Sequence, residues 1–307
     1  GAGTGKTTCA RILANEINAG KGKPIEIDAA SNNGVDDVRE IINDAKFKAL
    51  DAEYKVYILD ECHMFSVGAW NAMLKLIEEP PAKTIFIFCT TDPQKIPATI
   101  LSRVQRYDFQ RITYGAIVER LKLILAMEAD DILSAGGPDD AITWETEAIE
   151  YIAKMAEGGM RDAITLLDKC LSYSPHVTLT SVLEVLGAID YNTMFDLALN
   201  IFNGKTDLVI TEIEEIHRAG IDLKQFMRQF CWFLLDVCKY GLLGSFEYLQ
   251  LPETYKKGFD GWTDETFYAA QKLMDNVLKL NNQIKWDSNP KAVIEVSLIL
   301  YCEADYR

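Results

Sequence analysis

The segment from Gly1 to Thr7 constrains the fold more than any other part of this 307-residue chain. It reads Gly-Ala-Gly-Thr-Gly-Lys-Thr and matches the phosphate-binding loop G-x-x-x-x-G-K-[ST] except for the first glycine. Glycines let consecutive backbone N–H groups curl around phosphate oxygens, while Lys6 reaches the β- and γ-phosphates and the Thr7 hydroxyl ligates Mg²⁺. A helix that begins at Lys6 turns its positive end toward the same anion. The predicted nucleotide-binding residues in this segment are Gly3, Thr4, Gly5, Lys6, Thr7 and Thr8.

Short β-type runs and helical patterns alternate in the part of the chain that follows this loop. Residues 25–28 are a strand candidate, and the continuous apolar runs at 56–59 and 84–89 are typical of strands covered on both faces. Between these two runs, apolar residues recur at helical spacing over 67–77. The alternation predicts a parallel α/β sheet, to which residues 107–109 are expected to add a last short strand. The strand that normally precedes the loop is expected to be missing from this sequence.

From about residue 113 the pattern becomes helical and remains so. A first helical group extends to about Ser174 with an internal loop at 136–138, and a second extends from about 177 to 307. The most apolar stretch, 226–243, is interrupted by charged residues, which favours a buried helix over a membrane span.

The charge of the chain is unevenly distributed. The formal net charge of −15 argues against nucleic-acid binding over the whole surface. Residues 1–113 carry 14 Lys and Arg against 15 Asp and Glu, whereas the other 194 residues carry 17 against 31. An anionic ligand is therefore expected on the first block. The seven cysteines include no C-x-x-C pair and no secretory signal is apparent, so reduced thiols in a cytoplasmic protein are expected.

Two carboxylates, Asp60 and Glu61, follow the apolar run at 56–59. Phosphoryl chemistry needs one acid to hold Mg²⁺ and another to polarise the attacking water, and the carboxyl end of a parallel strand suits both. The alternative is a strand that ends in solvated acids, and the phosphate loop favours the catalytic interpretation. Residues 60–63 also spell a helicase-type D-E-x-H box, in which His63 either couples hydrolysis to nucleic-acid movement or packs locally. We favour local packing, because nothing downstream has the pattern of a second motor domain.

Other polar residues at strand and helix ends have two interpretations each. Thr90 or Thr91, after the run at 84–89, can orient the water that attacks a γ-phosphate, and ordinary turn chemistry explains them equally well. Arg103 and Arg161 can stabilise charge on a transferring phosphoryl group, from the same chain or from a neighbour. Taken singly, each arginine is better explained as a surface residue.

The order of these signals resembles the clamp-loader branch of the AAA+ ATPases, and within it the bacterial DNA polymerase III gamma/tau family. The similarity is dense over 1–113, good around 158–168 and only architectural beyond that point. The segments that carry it are Asp28-Ala29-Ala30-Ser31, Asp60-Glu61-x-His63-Met64, Asn71-Ala72-Met73-Leu74-Lys75, Glu78-Glu79-Pro80-Pro81, Thr90-Thr91-Asp92-Pro93-Gln94-Lys95-Ile96-Pro97 and Ile100-Leu101-Ser102-Arg103.

The resemblance implies a role for each of the isolated residues. Thr91, or else Thr90, corresponds to sensor 1, and Arg161 corresponds to sensor 2. Arg103 corresponds to a finger that acts on the ATP of the adjacent subunit. Val104 stands where the family has the cysteine of a Ser-Arg-Cys signature, and the arginine is retained.

Two further features bear on metal and DNA binding. Members of the family usually carry a four-cysteine zinc module before the second strand, and residues 19–24 cross that point without a cysteine, so we predict no zinc. The resemblance also supports a DNA-facing helix after residues 31–33. Asp36 and Asp37 on the same helix would repel a phosphate locally, so the residues themselves leave that role open.

The expected fold is α/β: an AAA+ P-loop parallel-sheet core at 1–113 without its first strand, a helical lid at 114–175 and an all-α collar at 176–307. The resemblance implies an ATPase motor subunit of a DNA replication clamp loader, which assembles with other loader subunits into a ring. ATP binding then opens a sliding clamp, and primed DNA triggers hydrolysis. Thr7 and Asp60 hold Mg²⁺, Glu61 activates water, and no membrane is involved. The alternatives are a DExH-type helicase and a nucleotide-binding scaffold subunit without turnover.

Overall fold

The structure is a computed structural model that describes residues 1–138, 141–187 and 190–304. The described residues form two compact units. One comprises 1–113 together with 157–162, and the other comprises 114–156 and the described part of 163–307. Residues 305–307 of the predicted collar lie outside the described residues.

The first unit is built on a three-stranded parallel sheet in the order β1-β2-β3. Its elements are α1 (Lys6–Ile17), β1 (Ile25–Asp28), α2 (Val35–Asp44), β2 (Lys55–Asp60), α3 (Val67–Glu78), β3 (Thr84–Phe88) and α4 (Ala98–Leu101), with short 3₁₀ turns at Cys62–Met64 and Pro93–Lys95. The three strands and the helices at α2 and α3 confirm the sequence prediction. Parallel strands end at the same edge of a sheet, so β1, β2 and β3 direct their following residues to one side.

The position of β2 at the centre of the sheet explains why its sequence is continuously apolar. Val56 and Ile58 pack with Ala10 and Ala14 of α1 on one face of the sheet. Tyr57 and Leu59 pack on the other face, in a core that includes Val38 and Ile41 of α2 and Trp70 and Met73 of α3. Residues 56–59 are all buried, as expected of a strand that helices cover on both faces.

The prediction of a strand at 107–109 is wrong. These residues have no regular secondary structure and pair with no strand in the described part of the chain. Tyr107 is 70% exposed and Phe109 is 37% exposed, so neither side chain is held by a core. Asp108 instead accepts two hydrogen bonds from Arg106 at 2.7 and 2.8 Å. A strand requires a neighbour for its backbone groups, and aromatic residues alone do not supply one.

The second unit is mainly helical, as predicted. Its elements are α5 (Tyr114–Ser134), β4 (Thr143–Trp144), α6 (Thr146–Met155), α7 (Met160–Tyr173, whose first residues belong to the first unit), β5 (His176–Val177), α8 (Leu179–Val185), α9 (Tyr191–Phe202), α10 (Thr206–Arg218), α11 (Leu223–Leu243), α12 (Asp264–Ile284) and α13 (Pro290–Ala304). The parallel pair β4–β5 is an addition to the predicted lid.

The core of the second unit is rich in aromatic residues. Phe226, Phe230 and Phe233 are fully buried on one face of α11 and stack in sequence along it. Phe195 of α9 meets Phe233 edge-to-face, with the ring centroids 4.8 Å apart. Among the described residues, none of the helices combines the length and apolar character that crossing a membrane requires.

Candidate nucleotide-binding site

The glycine-rich loop leads directly into helix α1. Gly5 forms the N-cap of α1 in the left-handed region, with φ at 91°, a conformation that favours glycine. The Lys6 ammonium donates a hydrogen bond to the Gly1 carbonyl at 2.6 Å, and the Thr4 hydroxyl donates to the same oxygen at 3.2 Å. Thr8, on the first turn of the helix, is exposed. The first N–H groups of a helix have no partner within it, so this end of α1 suits an anion.

The loop and the end of β2 meet through a hydrogen bond between the side chains of Thr7 and Asp60. The Thr7 hydroxyl donates to Asp60 Oδ2 at 2.8 Å, and the Glu61 backbone N–H donates to Asp60 Oδ1 at 2.9 Å. A hydroxyl and a carboxylate are hard oxygen donors of the kind that Mg²⁺ prefers. The donor set of these two residues therefore fits the predicted metal.

Glu61 is held in an unusual backbone conformation. Its φ of 44° and ψ of 40° lie in the left-handed region, which is uncommon for a residue with a side chain. The Thr91 hydroxyl donates to Glu61 Oε2 at 2.9 Å, and the Thr91 backbone N–H donates to the same oxygen at 3.3 Å. Glu61 follows β2 and Thr91 follows β3, so the parallel register brings the two residues together at one edge of the sheet.

His63 and Thr90 lie beside this pair. His63 Nδ1 is 3.0 Å from the Thr90 hydroxyl oxygen and 3.3 Å from Glu61 Oε2. Thr90 also accepts a hydrogen bond from the Asp92 backbone N–H at 3.0 Å. Of the two threonines, Thr91 contacts the Glu61 carboxylate and Thr90 contacts the histidine. The sequence favours local packing of His63 and does not reveal its contact with Glu61.

The segment that carries Arg161 approaches the glycine-rich loop. The Met160 backbone N–H donates to the Gly3 carbonyl at 3.0 Å. A Cβ added at Gly3 would lie 3.3 Å from the backbone N and the Cβ of Arg161, and the φ of Gly3 is 65°. Residues 157–162 accordingly belong to the first unit. The helix α7 therefore starts at the loop, although the sequence places it more than 150 residues later.

Arg103 makes its hydrogen bonds to residues outside the Glu61 cluster. Its Nε donates to Glu78 Oε1 at 2.6 Å, and its Nη1 donates to the Thr99 carbonyl at 2.6 Å and the Ser102 hydroxyl at 3.2 Å. Arg103 keeps 37% of its side chain exposed and Glu78 keeps 47%. Within the described residues, none of these partners belongs to the loop or to the end of β2. The predicted roles of the site residues, including this one, and the absence of zinc stay predictions.

Three family models together match almost the whole chain. The model described as "DNA polymerase III, delta subunit" matches residues 6–113. The model for the "DNA polymerase III clamp loader subunit, ATPase lid domain" matches 116–176, and that for "DNA polymerase III subunits gamma and tau domain III" matches 177–306.

Curated relatives carry the same names. The chain is 35% identical to DNA polymerase III subunit tau of Bacillus subtilis, over 99% of this chain and 56% of that protein. It is 30% identical to DNA polymerase III subunit gamma of Buchnera aphidicola, over 92% of this chain and 78% of that protein. It is 31% identical to DNA polymerase III subunit tau of Escherichia coli, over 81% of this chain and 39% of that protein. The chain thus spans 39–56% of the length of these two tau subunits and 78% of the gamma subunit.

Proposed function

Because the chain belongs to the DNA polymerase III gamma/tau family, we propose that it is an ATP-hydrolysing motor subunit of a DNA clamp loader. The observation that carries the proposal is the pair of hydrogen bonds Thr7–Asp60 and Thr91–Glu61, at 2.8 and 2.9 Å. They join three segments that are distant in sequence into one cluster at the carboxyl edge of a parallel sheet, where α/β proteins bind their ligands.

In this proposal the phosphate groups of ATP lie on the loop. Lys6 exchanges its bond to the Gly1 carbonyl for bonds to phosphate oxygens, because a charged acceptor binds an ammonium group more strongly than a neutral one. Thr7 and Asp60 would hold Mg²⁺, which supplies positive charge to the phosphates when it is bound. Arg161, next to Gly3, is suited to contact the same phosphates from α7.

Glu61 is the proposed general base. All the contacts from Thr91 fall on Oε2, and this leaves Oε1 available to accept a proton from an attacking water. Thr91 fixes the direction of the carboxylate and is the proposed sensor 1. Because the catalytic group must stay within hydrogen-bond distance of the water, this fixed direction contributes to the rate.

Arg103 is the proposed finger that acts on the ATP of a neighbouring subunit. Its partial exposure and its hydrogen bonds to residues outside the Glu61 cluster support action in trans. We propose a core at 1–113, a lid at 114–175 and a collar at 176–307, in keeping with the matched ranges 6–113, 116–176 and 177–306. Proposed partners are other loader subunits, a sliding clamp and primed DNA, and the proposed location is the cytoplasm.

The test is ATP hydrolysis by the full-length protein in its assembled complex, with and without clamp and primed DNA. Clamp and primed DNA together are expected to stimulate hydrolysis, whereas a helicase would not need the clamp. Glu61→Gln should keep ATP binding, because the amide oxygen still accepts from Thr91, but it should lower turnover by roughly 100-fold or more through loss of the base. Glu53→Gln, at an exposed glutamate before β2, is the matched control. Unchanged turnover in Glu61→Gln would remove the proposed hydrolytic role.

A further inference from the structure

We propose that His63 is a positioning residue for hydrolysis: its Nδ1–H group, oriented by Thr90, anchors the Glu61 carboxylate. This inference rests on the proposed function and extends it to His63 of the D-E-x-H pattern and to Thr90. The inference is based on the position of His63 Nδ1, which lies 3.3 Å from Glu61 Oε2 and 3.0 Å from the Thr90 hydroxyl oxygen.

The surroundings determine which ring nitrogen carries the proton. An ionised carboxylate only accepts hydrogen bonds, so a lone pair on Nδ1 would face a negatively charged oxygen at 3.3 Å. With the proton on Nδ1, the same nitrogen donates to both Glu61 and Thr90. The carboxylate therefore favours the Nδ1–H form of the ring.

Thr90 is able to accept this bond because its own position is fixed. Its hydroxyl oxygen accepts from the Asp92 backbone N–H at 3.0 Å, and a hydroxyl oxygen has a second lone pair for His63. The His63 side chain is only 11% exposed, so water competes little for the ring nitrogen. The histidine is thus held by packing and by a threonine that is tied to the backbone of the following turn.

The anchor matters because Glu61 is held at a strained position. A residue with a side chain at φ of 44° persists in this conformation only when its surroundings maintain it. The Thr91 hydroxyl, the Thr91 N–H and His63 Nδ1 all lie within 3.3 Å of Oε2. Three contacts on one oxygen leave the carboxylate little freedom to rotate. Loss of His63 removes the contact that lies outside the Thr91 turn, so Thr91 alone holds the carboxylate, which can then rotate over a wider range.

The experiment compares replacements of His63 in the full-length protein within its assembled complex. His63→Asn retains an N–H donor near the position of Nδ1, whereas His63→Gln places its amide near Nε2 and His63→Phe retains only the ring. Thr90→Val removes the hydroxyl that orients the ring, and Thr90→Ser keeps it. His217→Ala, at an exposed histidine of α10, is the matched control. Thermal unfolding of each variant reports whether it folds.

We expect His63→Phe to lower kcat by roughly 10- to 100-fold with the affinity for ATP unchanged, the effect of losing one hydrogen bond to a charged group. His63→Asn should recover most of the loss, and His63→Gln should not. Recovery by asparagine alone distinguishes a positioning bond from a packing role, because the two amides are both smaller than the ring.

A second readout does not depend on activity. The chain has three histidines, so ¹⁵N signals of the rings can be assigned by single replacements in the full chain. We expect His63 to show a protonated Nδ1 and an unprotonated Nε2, and Glu61→Gln should weaken this preference. A ring protonated on Nε2 alone would overturn the inference, as would wild-type kcat in folded His63→Phe or equal kcat in the asparagine and glutamine variants. If Glu61→Gln itself keeps its turnover, the proposed function fails first, and the two failures are thereby distinguished.

Discussion

Replacement of Asp236 by alanine is expected to destabilise the helical unit strongly, because this buried carboxylate joins α11 to the segment that follows it. Asp236 is 3% exposed. Its Oδ2 accepts from the backbone N–H groups of Gln250 at 2.7 Å and Leu251 at 2.8 Å. Its Oδ1 lies 3.4 Å from the Lys239 ammonium, which also donates to the Tyr248 carbonyl at 3.2 Å.

The magnitude follows from the groups that the alanine would leave without an acceptor. The buried Leu251 N–H and the partly buried Gln250 N–H would each cost about 1–3 kcal/mol, so we expect Asp236→Ala to lose about 2–6 kcal/mol of unfolding free energy. Asparagine in Asp236→Asn has nearly the volume of aspartate and keeps one side-chain oxygen, which can accept the hydrogen bonds from both N–H groups. Its expected loss is below about 1.5 kcal/mol, the net value of an ordinary hydrogen bond.

The free energy of unfolding should also depend on pH, because Asp236 titrates differently in the folded and the unfolded chain. Burial raises the pKa of Asp236, while the hydrogen bonds from Leu251 and Gln250 and the Lys239 ammonium oppose that rise. Since the folded chain then keeps the proton to a higher pH than the unfolded chain, the stabilisation is fully present below the unfolded pKa and is lost as the pH rises through the folded pKa. Asparagine does not titrate. The stability advantage of the wild type over Asp236→Asn should therefore shrink from acid to neutral pH.

The assay is thermal unfolding of the three proteins at several pH values. A unit of this size loses about 2–4 °C in Tm for each kcal/mol, so Asp236→Ala should unfold roughly 4–24 °C below the wild type. Asp236→Leu controls for volume and should resemble the alanine variant. Equal losses in the alanine and asparagine variants, or an advantage of the wild type that grows with pH, would refute the reasoning.

Two other predictions concern the loop and the finger. Arg103→Ala and Lys6→Ala should each inactivate the complex when present in every subunit, but mixtures should recover activity at interfaces that pair an intact loop with an intact finger. No recovery at any ratio, with co-assembly verified, would contradict action in trans. Thr7→Val should weaken Mg²⁺-dependent ATP binding in a titration and Thr7→Ser should preserve it, because only the hydroxyl reaches Asp60 at 2.8 Å; equal affinity in both would contradict a metal role for Thr7.

The sequence predicts those parts of the fold that depend on burial pattern alone. Continuous apolar runs identify β2 and β3, and helical spacing identifies α3, because a core imposes these periodicities directly. The error at 107–109 has the opposite cause, since Tyr107 and Phe109 have the composition of a strand but no neighbour to pair with. The two-residue strands β4 and β5 are too short to show any periodicity.

The sequence proposes the residues of the site but not their contacts. Motif spacing proposes Asp60 and Glu61, and the family resemblance proposes Thr91 or Thr90, whereas the bond of Glu61 to Thr91 requires the register of β2 against β3. The contact of His63 with Glu61 depends on the left-handed turn at Glu61, which no residue type in the motif reveals. Likewise, the ion pair between Arg103 and Glu78 joins the end of α3 to the segment after α4.

If hydrolysis at the Lys6–Glu61 site drives the loading of a clamp, the retention of clamp on primed circular DNA is the most direct test. Labelled clamp, primed DNA and the assembled complex are mixed with ATP, and DNA-bound clamp is counted after removal of the loader. The wild type is predicted to leave closed clamps on the DNA in an ATP-dependent way. Lys6→Ala should leave none, and Glu61→Gln should hold clamp and DNA in a complex that does not release. Equal numbers of loaded clamps with the wild type and Lys6→Ala would contradict the account.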